Sequence, residues 1–266
     1  MVHGVGSPPE KPGQNRPPEP TPAPRWPRRQ SGQPMIVLAH RGGSGPWREN
    51  SLEAFGTALR LGADGVELDV RRSADGELVV HHDAEVPGAG LIHRCRSDQL
   101  PEWVPTLEEA LALCAGAVVN VEIKNIPTDP GYDPTDQVAL DVAAVLARPA
   151  GHSPTTTARV VVSSFWPESL AAVGRRNGEA SLGLLVHPAL DAFGALETAT
   201  DLGCVAVHPH HTQVSTELVD RAHGLGLAVA TWTVNRPEEI DAAAAAGVDV
   251  VITDSVTDTL AHLGRL

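Results

Sequence analysis

Eight strand-like segments alternate with eight helix-like segments between residues 35 and 264, and this alternation constrains the fold more than any other feature of the sequence. The strand-like segments are short apolar runs at 35–40, 65–70, 118–124, 159–165, 181–186, 204–208, 227–234 and 249–253. The helix-like segments lie near 51–62, 106–115, 136–148, 167–177, 190–202, 215–225, 236–246 and 256–264. Strands that alternate with helices build parallel sheets, and eight such units predict an α/β fold of the (β/α)8 TIM-barrel type.

The second strand-like segment is followed by an additional strand. Asp75-Gly76 favours a tight type I′ turn, so we expect a β-hairpin whose second strand returns over 77–82. If these two residues form the loop, Asp69 lies opposite His82, and the two side chains share a face. His81 then points to the other face. The segment 84–105 is a short insertion, which favours an open site with little elaborate recognition of the substrate's alcohol.

The N-terminal 33 residues differ in composition from the rest of the chain. They are dominated by proline, glycine and charged residues, so they cannot supply a hydrophobic core. We therefore expect a disordered, proline-rich tail over 1–33 and a folded TIM-barrel domain over 34–266. The tail lacks the apolar stretch of a signal peptide, and no run of about 18 or more apolar residues predicts a transmembrane segment.

Charge and cysteine content limit the partners and the compartment. The formal net charge is −13, whereas the tail is basic, so the acidic residues belong to the folded domain. An acidic domain argues against nucleic acid as a partner, and an anionic substrate would need a local cationic centre. The three cysteines are widely spaced, which indicates reduced thiols and a cytoplasmic protein. The sequence carries no indication of the oligomeric state.

Charged and imidazole side chains gather where the predicted strands end. The set comprises three carboxylates, two imidazoles and two cations: His40, Arg41, Glu67, Asp69, His82, Glu122 and Lys124. Three carboxylates can hold a hard cation, two histidines can move protons, and an arginine with a lysine can neutralise a phosphate. Because TIM-barrel active sites lie at the C-terminal ends of the strands, the set predicts a divalent-metal phosphodiesterase site.

Strand alternation supports this grouping. Glu67 and Asp69 are two residues apart and share a face, as do Glu122 and Lys124 on the next strand. Carboxylates that point into a barrel are costly unless they are paired or bound to a metal. In a continuous strand His40 and Arg41 would point to opposite faces. Because both are predicted to reach the site, we expect the first strand to end near His40.

Six short motifs then follow one another in a recognisable order. They are His40-Arg41-Gly42, Glu49-Asn50-Ser51 with Ala54-Phe55, Gly62-Ala63-Asp64 leading to Glu67 and Asp69, Asp75-Gly76 leading to His82-Asp83, Glu122-Ile123-Lys124, and Trp232-Thr233-Val234-Asn235. In these motifs the chain resembles the glycerophosphodiester phosphodiesterases from about Met35 to the C-terminus. Two departures are a serine at position 51, where the family often has threonine, and the absence of a Leu-Asp-Arg run from residues 84–90. In the family, the Leu-Asp-Arg run that is missing here lies near the alcohol side of the substrate.

The resemblance implies an activity and a role for each site residue. It implies hydrolysis of a small-molecule glycerophosphodiester to glycerol 3-phosphate and an alcohol, with one divalent cation, Ca²⁺ or Mg²⁺, as cofactor. The implied metal ligands are Glu67, Asp69 and Glu122; the implied acid and base are His40 and His82; the implied phosphate ligands are Arg41 and Lys124. Which histidine is the acid, and whether water or a neighbouring hydroxyl attacks, stays open. Trp232 either walls the glycerol pocket or fills the upper barrel.

Three alternative functions stay open. A related barrel phosphodiesterase would cleave lysophospholipids or sphingolipids by internal attack to a cyclic phosphate. A binding protein would have kept the pocket without turnover. A histidine-rich hydrolase would bind Zn²⁺ at His208, His210 and His211, which lie together at the end of the sixth predicted strand.

Asn50 with Glu53 also fits the N-cap and capping box of the first helix.

Overall fold

The computed structural model describes residues 1, 26, 33–148 and 159–266. The strands in these ranges are β1 (Ile36–His40), β2 (Gly65–Arg72), β3 (Leu78–Val80), β4 (Glu85–Val86), β5 (Gly90–Leu91), β6 (Val118–Ile123), β7 (Arg159–Ser164), β8 (Ser181–Val186), β9 (Ala206–Pro209), β10 (Ala228–Thr231) and β11 (Val250–Thr253). The helices are α1 (Leu52–Arg60), α2 (Leu107–Leu113), α3 (Gln137–Leu146), α4 (Pro167–Arg176), α5 (Ala192–Asp201), α6 (Thr216–Gly224), α7 (Pro237–Ala246) and α8 (Val256–His262).

Eight of the strands form one closed parallel sheet. The hydrogen-bonded order is β1, β2, β6, β7, β8, β9, β10 and β11, and β11 pairs again with β1. Each barrel strand is followed by a helix, and every predicted strand and helix overlaps its observed counterpart. The predicted TIM barrel is therefore confirmed. Closure brings the C-terminal ends of β1, β2 and β6 side by side, and these strands carry most of the predicted site residues.

The apolar core has two layers that follow from strand alternation. Outward-facing residues such as Val37, Val66 and Val119 pack against the helices. Inward-facing residues such as Leu38 and Val118 fill the barrel together with small residues from the later strands. Cys95, Cys114 and Cys204 are buried free thiols.

Trp26, which belongs to the N-terminal segment, takes part in this core. Trp26 is only 4% exposed and packs with the inward-facing cluster, its ring 6.0 Å from the ring of His208. Most of residues 1–33, for which we predicted a disordered tail, lie outside the described residues, so that prediction and the domain boundary at residue 34 stay untested. In the described ranges, no helix combines the length and the apolar character needed to span a membrane.

The hairpin after β2 differs from the predicted one by one residue. Ser73 and Glu77 close the turn, since the Ser73 N–H donates to the Glu77 carbonyl and the Gly76 N–H donates back to the Ser73 carbonyl. Gly76 lies in the left-handed region, with φ of 91°. Three residues therefore form the loop, which is the hairpin type with a bulged glycine rather than a type I′ turn. As a result, Asp69 lies level with His81, whose N–H donates to the Asp69 carbonyl at 3.0 Å.

The longer turn has a local cause. The Ser73 hydroxyl donates to the Asp75 carboxylate at 2.6 Å and accepts the Glu77 N–H at 2.9 Å. Such side-chain hydrogen bonds favour a wider loop than the Asp-Gly pair indicates by itself. The predicted register was wrong because it took account of the turn pair and not of the serine that precedes it.

The insertion after the hairpin is short and ordered. It contains the small β4–β5 hairpin and two short 3₁₀ turns at Ile92–Arg94 and Ser97–Gln99. Its apolar side chains form a separate cluster with the hairpin: Val79, Val86, Ile92 and Val104. The insertion therefore borders one side of the barrel rim.

Candidate active site

Three buried carboxylates meet at the C-terminal ends of β2 and β6. Asp69 and Glu122 are register partners on these adjacent strands, and Glu67 is two residues before Asp69 on the same face. One carboxylate oxygen from each lies within 4.8 Å of the other two. Among the residues that the structure describes, no other three acidic, histidine or cysteine side chains come together in this way. Hard oxygen ligands in this arrangement suit Ca²⁺ or Mg²⁺.

Burial and repulsion from neighbouring carboxylates oppose the negative charge of Glu67, although two basic side chains border the triad. Burial, the charge of Asp69 and that of Glu122 raise the pKa of Glu67 to about 8. The buried Oε1 atom of Glu67 has no hydrogen-bond partner, although its Oε2 atom accepts the Arg41 N–H at 3.0 Å. A divalent cation held by the triad would give this oxygen a partner. The residues present therefore fit the metal that the sequence predicts.

Two basic side chains border the triad. The Lys124 Nζ atom lies 2.8 Å from Glu122 Oε1 and 3.5 Å from Asp69 Oδ1. The Arg41 Nε atom lies 3.3 Å from Asp69 Oδ2. Burial favours the protonated, neutral form of Asp69, but Lys124 and Arg41 outweigh it and hold the pKa of Asp69 below its usual value. Both cations can therefore meet a phosphate beside the triad.

The end of β1 directs His40 and Arg41 to the same site. Arg41, Gly42 and Gly43 follow the strand with φ values of 52°, 90° and 77°, all in the left-handed region. A Cβ atom at Gly42 would lie 2.5 Å from the Cβ of Ala54, so only glycine fits there. The strand ends at His40, as expected, and the sharp turn brings the next side chain back to the rim.

His40 is held by a carboxylate that the sequence analysis did not single out. Its Nδ1 atom lies 2.7 Å from Oδ1 of Asp254, and Oδ2 of Asp254 accepts a hydrogen bond from Asn235 at 2.8 Å. Burial opposes protonation of the ring, but Asp254 and Glu67 outweigh it and raise the pKa of His40. The signal was present in the sequence, since Asp254 directly follows β11, which is the neighbour of β1 once the barrel closes.

His82 lines the cavity at the triad, whereas His81 does not. The His82 Nδ1 atom lies 2.7 Å from the Asp83 carboxylate, and its backbone carbonyl accepts a hydrogen bond from Arg71. The His81 ring packs against Trp103, with ring centroids 5.8 Å apart. His82, which the sequence favoured over His81, faces the site although the predicted hairpin register was wrong. The reason is that β3 ends before both histidines, so strand alternation no longer applies to them.

The cavity between these groups has a volume of about 100 Å³. The apolar part of its wall consists of Phe165, Leu185, Trp232 and Ile252. The Trp232 indole N–H donates to the His208 carbonyl at 2.9 Å, and its ring meets Phe165 edge-on at 5.5 Å. Trp232 therefore walls the cavity rather than only filling the barrel. A second cavity of about 430 Å³ shares His82, Glu122, Lys124 and Phe165 with the first and opens toward the insertion.

Asn50 supports the triad and does not cap a helix. Its side chain donates to Asp69 Oδ2 at 2.9 Å and accepts the Asp69 N–H at 3.2 Å. The N-cap of α1 is Ser51, whose hydroxyl accepts the N–H of Ala54. The predicted capping role of Asn50 was wrong because helix α1 begins one residue later.

The three histidines at the end of β9 do not form a common centre. His208 is fully buried inside the barrel, and this burial lowers its pKa to about 3, so it is neutral. His210 and His211 lie on the rim with ring centroids 4.3 Å apart, and His210 bonds to Thr212. His208 lies within β9, whereas His210 and His211 lie beyond the end of this strand at Pro209. Within the described residues the three histidines join no group of three metal ligands.

Fold and site together define a barrel enzyme of the phosphodiesterase class. A family model described as the glycerophosphoryl diester phosphodiesterase family matches residues 40–258, and the chain belongs to this family. The family resemblance found in the sequence is thus confirmed, and the family hydrolyses glycerophosphodiesters.

Individual relatives agree with this assignment. The chain is 32% identical over 251 residues to a glycerophosphodiester phosphodiesterase of Caldanaerobacter subterraneus subsp. tengcongensis, covering 86% of this chain and 98% of the relative. A putative glycerophosphoryl diester phosphodiesterase from Silicibacter pomeroyi has a TM-score of 0.74 at 26% identity, covering 88% and 95% of the two chains. A phosphodiesterase of Oleispira antarctica, solved with the product sn-glycerol-3-phosphate, has a TM-score of 0.75 at 25% identity, covering 87% and 97%.

Proposed function

We propose that this enzyme hydrolyses glycerophosphodiesters to glycerol 3-phosphate and an alcohol, using one Ca²⁺ or Mg²⁺ and the histidines His40 and His82. The observation that carries the proposal is the buried acidic triad with one imidazole on β1, another after the hairpin, and two cations beside it. The glycerol 3-phosphate found in the Oleispira antarctica relative supports the product class.

Each charged residue has a defined task in this proposal. Glu67, Asp69 and Glu122 would hold the cation, which when bound supplies Lewis-acid stabilisation of the phosphate charge. Arg41 and Lys124 bind phosphate oxygens and are pre-positioned by their contacts with the triad. Because these cations are partly or largely buried, their attraction to phosphate is screened less than at an open surface.

The two histidines transfer the protons. Each Nδ1 atom is held by a carboxylate, Asp254 for His40 and Asp83 for His82, so each Nε2 atom is the one that exchanges a proton. The Nε2 atom of His40 lies 3.9 Å from Oε2 of Glu67. One imidazole takes the proton of the attacking oxygen, from water or from the neighbouring glycerol hydroxyl, as the new P–O bond forms. If the glycerol hydroxyl attacks, the cyclic phosphate that results is opened by water in a second step to give glycerol 3-phosphate. The other gives a proton to the alcohol oxygen as the old P–O bond breaks.

A substrate panel tests the proposed function. Purified enzyme is incubated with glycerophosphocholine, glycerophosphoethanolamine and lysophosphatidylcholine, each with Ca²⁺, Mg²⁺ or chelator, and the products are identified by phosphorus NMR. We expect glycerol 3-phosphate from the two glycerophosphodiesters, loss of turnover in chelator, and recovery on adding metal. If only the lysolipid reacts and its product is a cyclic phosphate, the result would instead support the related phosphodiesterase that works by internal attack. No turnover under any condition would support a binding protein.

The contact between Asp254 and His40 yields a separate prediction. Replacing Asp254 by asparagine keeps the shape but removes the charge that orients the ring, so kcat should fall roughly 10- to 100-fold, as for carboxylates that orient metal-bound histidines. KM should change little, because Asp254 does not line the cavity. Steady-state kinetics at saturating metal give kcat and KM separately for the native and the variant enzyme. Asp258→Asn, an exposed change on α8, is the control, and an equal loss in both variants would argue against a positioning role.

A further inference from the structure

Asn120 is a buried amide on the floor of the catalytic cavity. It lies on β6 two residues before Glu122, so its side chain points to the same interior face. It is 1% exposed and lines the cavity together with His40, His82 and Trp232. Neither its Oδ1 nor its Nδ2 atom has a hydrogen-bond partner in the structure.

An unpartnered buried amide needs an explanation. Leaving such a group unsatisfied costs about 1–3 kcal/mol, and a valine or leucine at this strand position would avoid the cost. No neighbouring group in the described part of the chain bonds to this amide, although both charged side chains and the apolar Leu185, Trp232 and Ile252 line the same cavity. Asn120 is the register partner of Glu67 on β2, whose Oε1 atom is also unpartnered. The unpartnered polar atoms of Asn120 and Glu67 thus lie beside the cavity in which we expect the substrate to bind.

A hydroxyl group is the ligand that matches this amide. An amide offers both a donor and an acceptor, and a hydroxyl can donate to Oδ1 while it accepts from Nδ2. When its phosphate is held by Arg41 and Lys124, a glycerophosphodiester has one free hydroxyl beside the phosphoester and a terminal one farther away. The apolar wall suits the carbon chain that joins them.

We propose that Asn120 binds the terminal hydroxyl of the glycerol moiety and selects glycerol over diols that lack it. This inference rests on the proposed function, because it assumes that the phosphate occupies the rim beside the acidic triad. It adds a specificity-determining residue that neither holds the implied metal nor moves a proton.

Two substrates that differ by one hydroxyl test the proposal. Glycerophosphocholine is compared with the propane-1,2-diol analogue, in which a methyl group replaces the terminal hydroxymethyl group. We expect the enzyme to prefer glycerophosphocholine by about 10- to 100-fold in kcat/KM, the usual effect of leaving a buried polar group unpaired. Asn120→Leu should bring this preference close to one, through a lower kcat/KM on glycerophosphocholine and a nearly unchanged value on the analogue.

Ser163→Ala is the matched control. Ser163 is a buried polar side chain on β7 that also lacks a hydrogen-bond partner, but it does not line the cavity. The alanine variant should keep the full preference. Asn120→Ser, which keeps a hydroxyl and adds no bulk, replaces the leucine variant if that protein does not fold, and it should retain an intermediate preference.

A binding measurement separates this inference from the proposed function. Dissociation constants are measured by calorimetry for glycerol 3-phosphate and for propane-1,2-diol 1-phosphate, with metal present. The native enzyme should bind glycerol 3-phosphate more tightly and Asn120→Leu should not, whether or not turnover is observed. Equal losses on both ligands, or a preference that survives the leucine variant, would overturn the role of Asn120. Failure of all substrates to react, with the binding preference intact, would contradict the proposed function alone.

Discussion

Replacing His82 by alanine is expected to lower kcat by about two to four orders of magnitude, with little effect on folding. The imidazole lines the cavity beside the acidic triad and contributes little to the core, since its side chain is 30% exposed. Loss of the ring removes one of the two groups that we propose exchange protons with the attacking and leaving oxygens. Initial rates of glycerophosphocholine hydrolysis and thermal melting of both proteins measure the two expectations.

The neighbouring histidine supplies a matched control. His81→Ala removes the same ring one residue earlier, but His81 packs on Trp103 and does not line the cavity. Its kcat should stay within about threefold of the native value. If His81→Ala lost activity and His82→Ala retained it, the assignment of the histidine at the end of the hairpin would be reversed.

Replacing Glu122 by glutamine is expected to lower kcat/KM roughly 10²- to 10⁴-fold, because a metal bound at the triad would supply several kcal/mol of transition-state stabilisation. The variant removes one of the three carboxylates proposed to hold the metal and leaves the shape of the side chain intact. Added Ca²⁺ or Mg²⁺ should raise the melting temperature of the native enzyme, since a ligand that binds only the folded state stabilises it. This increase should be much smaller in Glu122→Gln.

The increase in melting temperature on adding metal, compared with chelator, distinguishes a metal site from a structural ion-pair cluster. In chelator, Glu122→Gln relieves one of the repulsions that, after burial and Asp69, raise the pKa of Glu67, but it also breaks the 2.8 Å ion pair with Lys124, so the metal-free variant is expected to melt at or below the native temperature. Glu53→Gln, a change on the exposed first turn of α1, is the control and should leave activity and metal response unchanged. A Glu122→Gln enzyme that works at the native rate in chelator would remove the metal from the mechanism.

The barrel and most of the candidate site could be predicted from local sequence. Alternation at Glu67 and Asp69, and at Glu122 and Lys124, requires both members of each pair to share a face of a strand, and the structure has them so. The hairpin register failed because a single serine hydroxyl widened the turn by one residue. The N-cap assignment of Asn50 failed for a similar reason, since Ser51 competes for the same position.

The sequence by itself determined the eight β/α units, the strand ends that carry charged residues, and the family motifs, because these depend on patterns within a few residues. Only the tertiary structure decided that Asp254 holds His40, that Asn50 holds Asp69, and that Asn120 has no partner on the cavity floor. Asp254 is 214 positions from His40 along the chain and lies beside it only because β11 pairs with β1 to close the barrel. Hydrogen bonds across such separations depend on barrel closure and register, and these in turn depend on how the whole chain packs.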